Sequence, residues 1–206
     1  MGGIEPSVSV RWSTPGEEVT VPPVDGGGRV SARQVAAALR PDTAPVSVML
    51  ANNELSTIRP VVEIGAVTRA AGVPLHCNAP QGAGSPPVDV RALGVDLLTF
   101  SGHKIYGPKG TGVLYVSNGP SDRAPLAPLL HGGGQERGPR AGTVNTAAVI
   151  GLGAAVGVLA AAGPAPERIR GSIRVGFGRF TTEEDAVRAA RALAAGVSGP
   201  AARAAA

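Results

Sequence analysis

The chain has 206 residues, a formal charge of +4 and a hydrophobic content of 43%, with Trp, Tyr and Phe together making up only 3%. This composition predicts a globular protein with an aliphatic core rather than a disordered chain, despite 30 Gly and 19 Pro. One cysteine excludes an internal disulfide framework and a multi-cysteine zinc site, so we expect no metal site.

The basic residues and the start of the chain argue against two classes of partner. The arginines are scattered rather than clustered, which disfavours nucleic-acid binding in spite of the positive charge. No uninterrupted apolar run is long enough to predict a membrane span, and no secretory signal is visible. We therefore expect a cytoplasmic protein that binds neither nucleic acid nor membranes.

Predicted helices and strands alternate along the chain. Short apolar runs between turn residues predict strands at 46–50, 73–77, 95–100, 113–116 and 173–177. The predicted helices begin at the capping box of Ser31 and Gln34, at Pro60, at Thr146 and at a second capping box of Thr181 and Glu184. The helix at 146–162 is almost entirely small and apolar, which predicts that it is buried between neighbours.

This alternation predicts an α/β fold with a mostly parallel sheet and helices on both faces. In such sheets a ligand binds beyond the carboxyl ends of the strands. Polar residues follow three of the predicted strands, at 52–54, at Asn78 and at 101–104. We therefore expect a binding site at that edge of the sheet.

Both lysines of the chain, Lys104 and Lys109, lie in the segment 101–110. A partly desolvated lysine at a strand end can act as a nucleophile toward aldehydes, and the neighbouring Ser101 and His103 can hydrogen-bond a phosphate. An aldehyde and a phosphate are the two reactive groups of pyridoxal 5'-phosphate (PLP). The alternative for the bare Ser-Gly-His-Lys sequence is a solvated lysine in a turn.

The longer segment S-G-H-K-I-Y-G-P-K-G at 101–110 resembles the PLP-lysine motif of the cysteine desulfurase and selenocysteine lyase family. This family is class V of the fold type I aminotransferases. Four more segments resemble family motifs in the family's order, at 51–54 (A-N-N-E), 76–81 (H-C-N-A-P-Q), 132–143 (G-G-G-Q-E-R through R-A-G-T) and 172–184 (S-I-R through G-R-F-T-T-E-E). The resemblance runs from about residue 18 to 197 and implies a partial fold type I large domain with a small-domain remnant.

The resemblance also implies roles for individual residues. Lys104 would carry the cofactor and move the α-proton of the substrate, and His76 would be a second catalytic residue near the cofactor. Arg174 and Asn53 would bind the substrate, which is L-cysteine or L-selenocysteine in the family. The implied cofactor-binding residues are Lys104, Asn53, Asn78, Gln81, Ser101, His103 and Thr143. Thr143 would reach the phosphate of a partner subunit, in a homodimer or in a heterodimer with a full-length relative.

Three departures from the family pattern bear on activity. Asn78 stands where the family has an aspartate that pairs with the pyridine nitrogen, and an amide cannot balance a pyridinium charge. The family's N-terminal segment has no counterpart here. A second family segment, which carries the catalytic cysteine, has no counterpart between Gly163 and Ser172. The only cysteine, Cys77, is predicted to be a buried strand residue.

These observations predict a truncated and internally deleted family member. Residues 1–165 would form a partial PLP-binding large domain, 166–198 the small-domain remnant and 199–206 an alanine-rich tail. The expected function is that of a cysteine desulfurase with weak or no turnover. The alternatives are a selenocysteine lyase, a PLP protein with another reaction, and a non-catalytic fragment that dimerises with a complete relative.

Overall fold

A computed structural model of the chain describes residues 18–52, 57–81, 88–117 and 126–162, with side chains as far as Val158. The chain divides into two compact units, Met1–Pro166 and Glu167–Ala206, and all described residues belong to the first. The predicted strand at 173–177, the helix after Thr181 and the proposed small-domain remnant lie outside the described residues.

Four strands form one sheet in the order in which they occur along the chain. β1 (Val46–Met49), β2 (Leu75–Asn78) and β3 (Leu97–Ser101) are parallel, and β4 (Gly112–Val116) pairs antiparallel with β3. This arrangement confirms the predicted α/β fold with a mostly parallel sheet.

The second and third strands begin two residues later than predicted. The amide of Val73 donates to the carbonyl of Thr68, and the amide of Val95 donates to that of Val90, so both valines close the preceding helix instead of joining the sheet. Pro74 has no amide proton with which to start a ladder. These apolar residues are therefore buried without belonging to a strand.

The described residues also form four α-helices: α1 (Ala32–Ala38), α2 (Val61–Ala70), α3 (Val90–Leu93) and α4 (Thr146–Ala162). The capping box that opens α1 is confirmed, because the amide of Gln34 donates to the Ser31 hydroxyl at 3.2 Å and the amide of Ser31 donates to Gln34 Oε1 at 2.8 Å. The short helix α3 was not predicted. Asp89 caps its first turn, and Gly94 ends it in a left-handed conformation.

The two faces of the sheet differ in chemistry. One face, which α2 covers, carries the fully buried Val48, Leu75 and Cys77, and Ile64 of α2 packs in the same core. Alternate residues of the same strands point to the other face, which carries polar side chains on three neighbouring strands. In register these are Ser47 on β1, His76 and Asn78 on β2, and Thr99 on β3.

The prediction for α4 is right about its position and wrong about its burial. Leu152 is 5% exposed, whereas Ile150 and Val158 are 67% and 70% exposed. The helix packs against the turn that follows β3, while other apolar side chains of the helix are exposed among the described residues. An apolar composition without periodicity could not show which side would be covered. No helix in the described part of the chain is long and apolar enough to cross a membrane.

Candidate cofactor site

The carboxyl ends of the three parallel strands meet at one edge of the sheet. β2 ends at Asn78 and β3 at Ser101. Pairing continues just beyond the strands, because the amide of Leu50 donates to the Asn78 carbonyl and the amide of Ala79 donates to the Thr99 carbonyl. The sheet therefore brings the predicted residues Asn78 and Ser101 to the same edge.

Lys104 lies in a turn of 3₁₀ helix, Gly102–Ile105, that follows β3 directly. Ile105 is buried and anchors this turn, whereas Tyr106 ends it in a left-handed conformation with its side chain 98% exposed. The amide of Gly107 donates to the carbonyl of Gly102 at 2.9 Å, which closes the loop. Lys104 is half-buried and is held at the strand end by backbone contacts.

The turn is packed from two sides. The amide of Gly102 donates to the carbonyl of Thr111, and the Thr111 hydroxyl donates to the carbonyl of Pro108 at 2.7 Å. From α4, Leu152 packs against Gly102. The backbone around the lysine is therefore fixed both by the start of β4 and by α4.

The polar face of the sheet carries four side chains linked by hydrogen bonds, which we call the hydrogen-bond chain: Ser47, His76, Thr99 and Asn78. Ser47 Oγ lies 2.7 Å from His76 Nδ1, and His76 Nε2 lies 3.0 Å from Thr99 Oγ1. Thr99 Oγ1 in turn donates to Asn78 Oδ1 at 3.3 Å. All four side chains are half-buried, and the chain ends at the edge where Lys104 lies.

Burial changes the acid–base properties of two adjacent residues on β2. It lowers the pKa of the His76 imidazole, which favours the neutral ring. It raises the pKa of the Cys77 thiol to about 12, because this side chain points into the apolar core on the opposite face. Since the thiolate is the nucleophilic form, burial and the raised pKa both disfavour reaction of Cys77 in the folded chain.

The remaining predicted site residues differ in placement. Gln81 is half-buried three residues after Asn78, and Ser101 is half-buried on the same face as Thr99. His103 is exposed in the lysine turn, and Thr143 is exposed shortly before α4. Asn53 and Arg174 lie outside the described residues.

These side chains are available to a ligand. The side chains of Gln81, Ser101, His103 and Lys104 form no hydrogen bond or ion pair with another described residue. An amine, a hydroxyl, an imidazole and an amide at one strand edge suit a ligand with an aldehyde and a phosphate. The residues present therefore fit PLP, and Asn78 is the residue that departs from the family pattern.

Ser47 and Thr99 were not predicted as site residues. Each is a polar residue between two apolar neighbours in its strand, and the positions of His76 and Asn78 two residues apart already indicated a polar face. The missing information was the register of β1, β2 and β3, which decides that these four side chains meet.

Comparison with known proteins agrees with this architecture. The sequence profile described as Aminotransferase class-V matches residues 11–168. The chain belongs to this family. It is 50% identical over 140 residues to the cysteine desulfurase IscS of Anaeromyxobacter dehalogenans, and 49% identical over 140 residues to the mitochondrial cysteine desulfurase of Arabidopsis thaliana. Each alignment covers 68% of this chain, but 34% of the first relative and 30% of the second.

Three solved structures share the fold of this chain over part of their length. A NifS-like protein matches with a TM-score of 0.66 and 38% identity, over 71% of this chain and 40% of that one. DndA from Streptomyces lividans matches with a TM-score of 0.66 and 30% identity, over 86% of this chain and 57% of that one. A structure of SspA in complex with cysteine matches with a TM-score of 0.62 and 42% identity, over 68% of this chain and 39% of that one.

Two predictions are thereby confirmed: the resemblance to cysteine desulfurases and the partial fold type I architecture. The chain spans about one third of the length of the curated relatives it matches.

Proposed function

We propose that the chain binds PLP through Lys104 and accepts L-cysteine or L-selenocysteine at the same edge, with weak or absent release of sulfur or selenium. The observation that carries the proposal is the placement of Lys104, which is half-buried at the carboxyl end of a parallel strand and has no ion-pair partner among the described residues. A lysine in that position keeps its amine for a ligand rather than for a salt bridge.

When bound, PLP supplies an electron sink for charge that develops at the α-carbon of an amino acid. The amine of Lys104 would hold the cofactor aldehyde and, once released, would take the proton from that carbon. Ser101, His103 and Thr143 would donate hydrogen bonds to the phosphate, Thr143 from a partner subunit. Gln81 would hydrogen-bond the phenolic oxygen, and Asn53 and Arg174 would bind the substrate.

Two features support weak turnover. Cys77 is the only cysteine, and its burial and raised pKa disqualify it as an acceptor of sulfur. Asn78 offers a neutral amide where the family aspartate would stabilise a protonated pyridine nitrogen.

We also propose that the chain pairs with a second copy or with a complete relative. Exposed apolar side chains on β4 and α4 support this, among them Leu114 at 52% and Ile150 at 67%. Size-exclusion chromatography with light scattering would give a dimeric mass, and a monomeric mass with and without a co-expressed relative would refute the pairing. A cytoplasmic location stays a prediction.

The two lysines allow a direct test of cofactor binding. Purified chain would be incubated with PLP, treated with borohydride to fix the bound cofactor covalently, and digested for mass spectrometry. We expect the label on Lys104, its loss in Lys104→Ala, and full labelling of Lys104 in the control Lys109→Ala. Label on Lys109 alone, or none, would refute the proposed cofactor site.

Turnover is then tested separately on the loaded chain. We expect L-cysteine and L-selenocysteine to change the visible spectrum of the bound cofactor, with little sulfide, selenide or alanine formed. Product formation at the rate of a complete cysteine desulfurase assayed in parallel would contradict the proposed weak turnover. An unchanged spectrum with both amino acids would contradict their binding.

A further inference from the structure

The hydrogen-bond chain on the polar face has a direction, which can be read from its protons. A threonine hydroxyl has one proton, and that of Thr99 is donated to Asn78 Oδ1. In its contact with His76 Nε2, at 3.0 Å, the Thr99 oxygen must therefore accept. The ring nitrogen Nε2 consequently carries a proton.

The same count of protons determines the donor in the contact between Ser47 and His76. A neutral imidazole with its proton on Nε2 has an acceptor at Nδ1. Ser47 Oγ lies 2.7 Å from Nδ1 and therefore donates to it. The half-buried ring favours this neutral form, because burial lowers the pKa of His76. In the hydrogen-bond chain, each group therefore donates its proton to the next one in the direction from Ser47 on β1 to Asn78.

The last link sets the orientation of the Asn78 amide. Because Oδ1 is turned towards Thr99, the Nδ2 group occupies the other end of the planar amide. No acceptor for Nδ2 lies within hydrogen-bond distance among the described residues. The side chain therefore presents a donor to whatever binds at this edge.

We propose that Ser47, His76 and Thr99 act as positioning residues that hold Asn78 with its Nδ2 group towards the ligand, so that the site takes a pyridine ring whose nitrogen carries no proton. The cofactor part of this inference rests on the proposed PLP site. A donor pairs with an unprotonated ring nitrogen, whereas a pyridinium nitrogen needs an acceptor. The orientation of one amide thus determines the protonation state of the bound ring.

Replacing Asn78 with aspartate would change which protonation state of the pyridine ring is favoured. It would not change the direction of donation in the hydrogen-bond chain. A carboxylate accepts, so Thr99 would still donate to it and His76 would keep its proton on Nε2. The group facing the ligand would then be an acceptor with a negative charge. Asn78→Asp is therefore expected to favour the protonated pyridine.

The direction of donation in the hydrogen-bond chain is tested on the protein without cofactor. Nitrogen–proton correlation NMR of the histidine rings, with His76 assigned from the signal lost in His76→Gln, reports which nitrogen is protonated. We expect a proton on Nε2, protected from exchange with water, and an unprotonated Nδ1. A proton on Nδ1 alone would overturn the proposal.

Substitution of Thr99 distinguishes a positioning role from a merely structural one. If Thr99 only filled space, a substitution that keeps its shape would leave the His76 and Asn78 signals unchanged. In Thr99→Val, which keeps the shape, we expect Nε2 to lose its exchange protection and the Asn78 amide signals to shift. Thr99→Ser should restore both. The control Thr68→Val removes a hydroxyl outside the hydrogen-bond chain, which donates to the carbonyl of Gly65 in α2, and should leave the His76 signals unchanged. Unchanged His76 signals in Thr99→Val would also overturn the proposal.

The cofactor part is tested with PLP labelled with ¹⁵N in the ring. In the loaded wild-type chain we expect the chemical shift of an unprotonated pyridine, and in Asn78→Asp that of a pyridinium. A pyridinium shift in the wild type would refute this part. A protein that takes up no PLP would refute the proposed function and this part together. The experiments without cofactor would still decide the direction of donation in the hydrogen-bond chain.

Discussion

A Cβ atom on Gly102 would lie 2.7 Å from the Oγ1 of Thr111, a separation that real Cβ atoms essentially never show. The same atom would lie 3.0 Å from Leu152 of α4. The absence of a side chain at Gly102 is therefore what allows β4 and α4 to approach the turn that holds Lys104.

Replacing Gly102 with alanine is expected to destabilise the fold and to displace this turn. Overpacking of this kind typically costs about 1–3 kcal/mol, and a shifted turn should also weaken PLP binding. Urea denaturation would measure the first effect and a PLP titration the second. Gly134→Ala is the control, because nothing lies within 4 Å of its added Cβ and its φ of −81° suits alanine. Equal stability of the two variants would contradict the packing described for Gly102.

The core is tested on a single helix. Ile64 and Val62 both belong to α2, but Ile64 is 0% exposed and Val62 is 54% exposed. We expect Ile64→Ala to lower the free energy of unfolding by about 2–5 kcal/mol, because it leaves a cavity against the sheet. Val62→Ala should change it by about 0.5 kcal/mol or less. Chemical denaturation of both variants checks the difference, and similar losses would mean that α2 presents another side to the sheet.

Cys77 is expected to resist thiol reagents in the native chain. Its side chain is fully buried, and its pKa of about 12 keeps the thiol protonated at neutral pH. Because it is the only cysteine, the absorbance released from Ellman's reagent reports on this residue alone. We expect no reaction under native conditions and one equivalent in guanidinium chloride. Rapid native reaction would contradict its burial and would make Cys77 a candidate sulfur carrier.

Stability should depend on pH through His76. The pKa of this ring in the folded chain lies below its usual value of 6.5, so the unfolded chain binds more protons between the two values. The contribution of His76 to the free energy of unfolding is therefore complete above about pH 6.5 and declines as the pH falls towards the folded pKa. Denaturation of the wild type and His76→Gln across this range should show a shallower slope in the variant.

His103→Gln is the control for the loss of a histidine, because it removes an exposed ring outside the hydrogen-bond chain. An NMR titration that places the pKa of His76 above 6.5 would show a shift in the opposite direction and would contradict the effect of burial.

The sequence predicted the elements that local patterns specify and missed those that depend on packing. The capping box at Ser31 and the four strands follow from side-chain chemistry within a few residues. The strand boundaries at Val73 and Val95 were wrong because burial alone cannot distinguish a strand residue from one that closes a helix. The exposure of α4 depends on what lies beside it, which its own residues do not encode.

The candidate site divides in the same way. Lys104, Asn78 and their neighbours could be predicted because their motifs are continuous in sequence and resemble a family. Ser47 and Thr99 could not, because they come from separate strands and their contacts with His76 exist only in the observed register.

The order of the strands has a consequence for the folding pathway. Since each strand pairs with the one that precedes it along the chain, every new pairing closes only the segment made since the last one. Short closures cost less chain entropy and speed folding. The sheet can therefore assemble in chain order, and the pairing of β4 with β3 ties both ends of the lysine turn to the sheet.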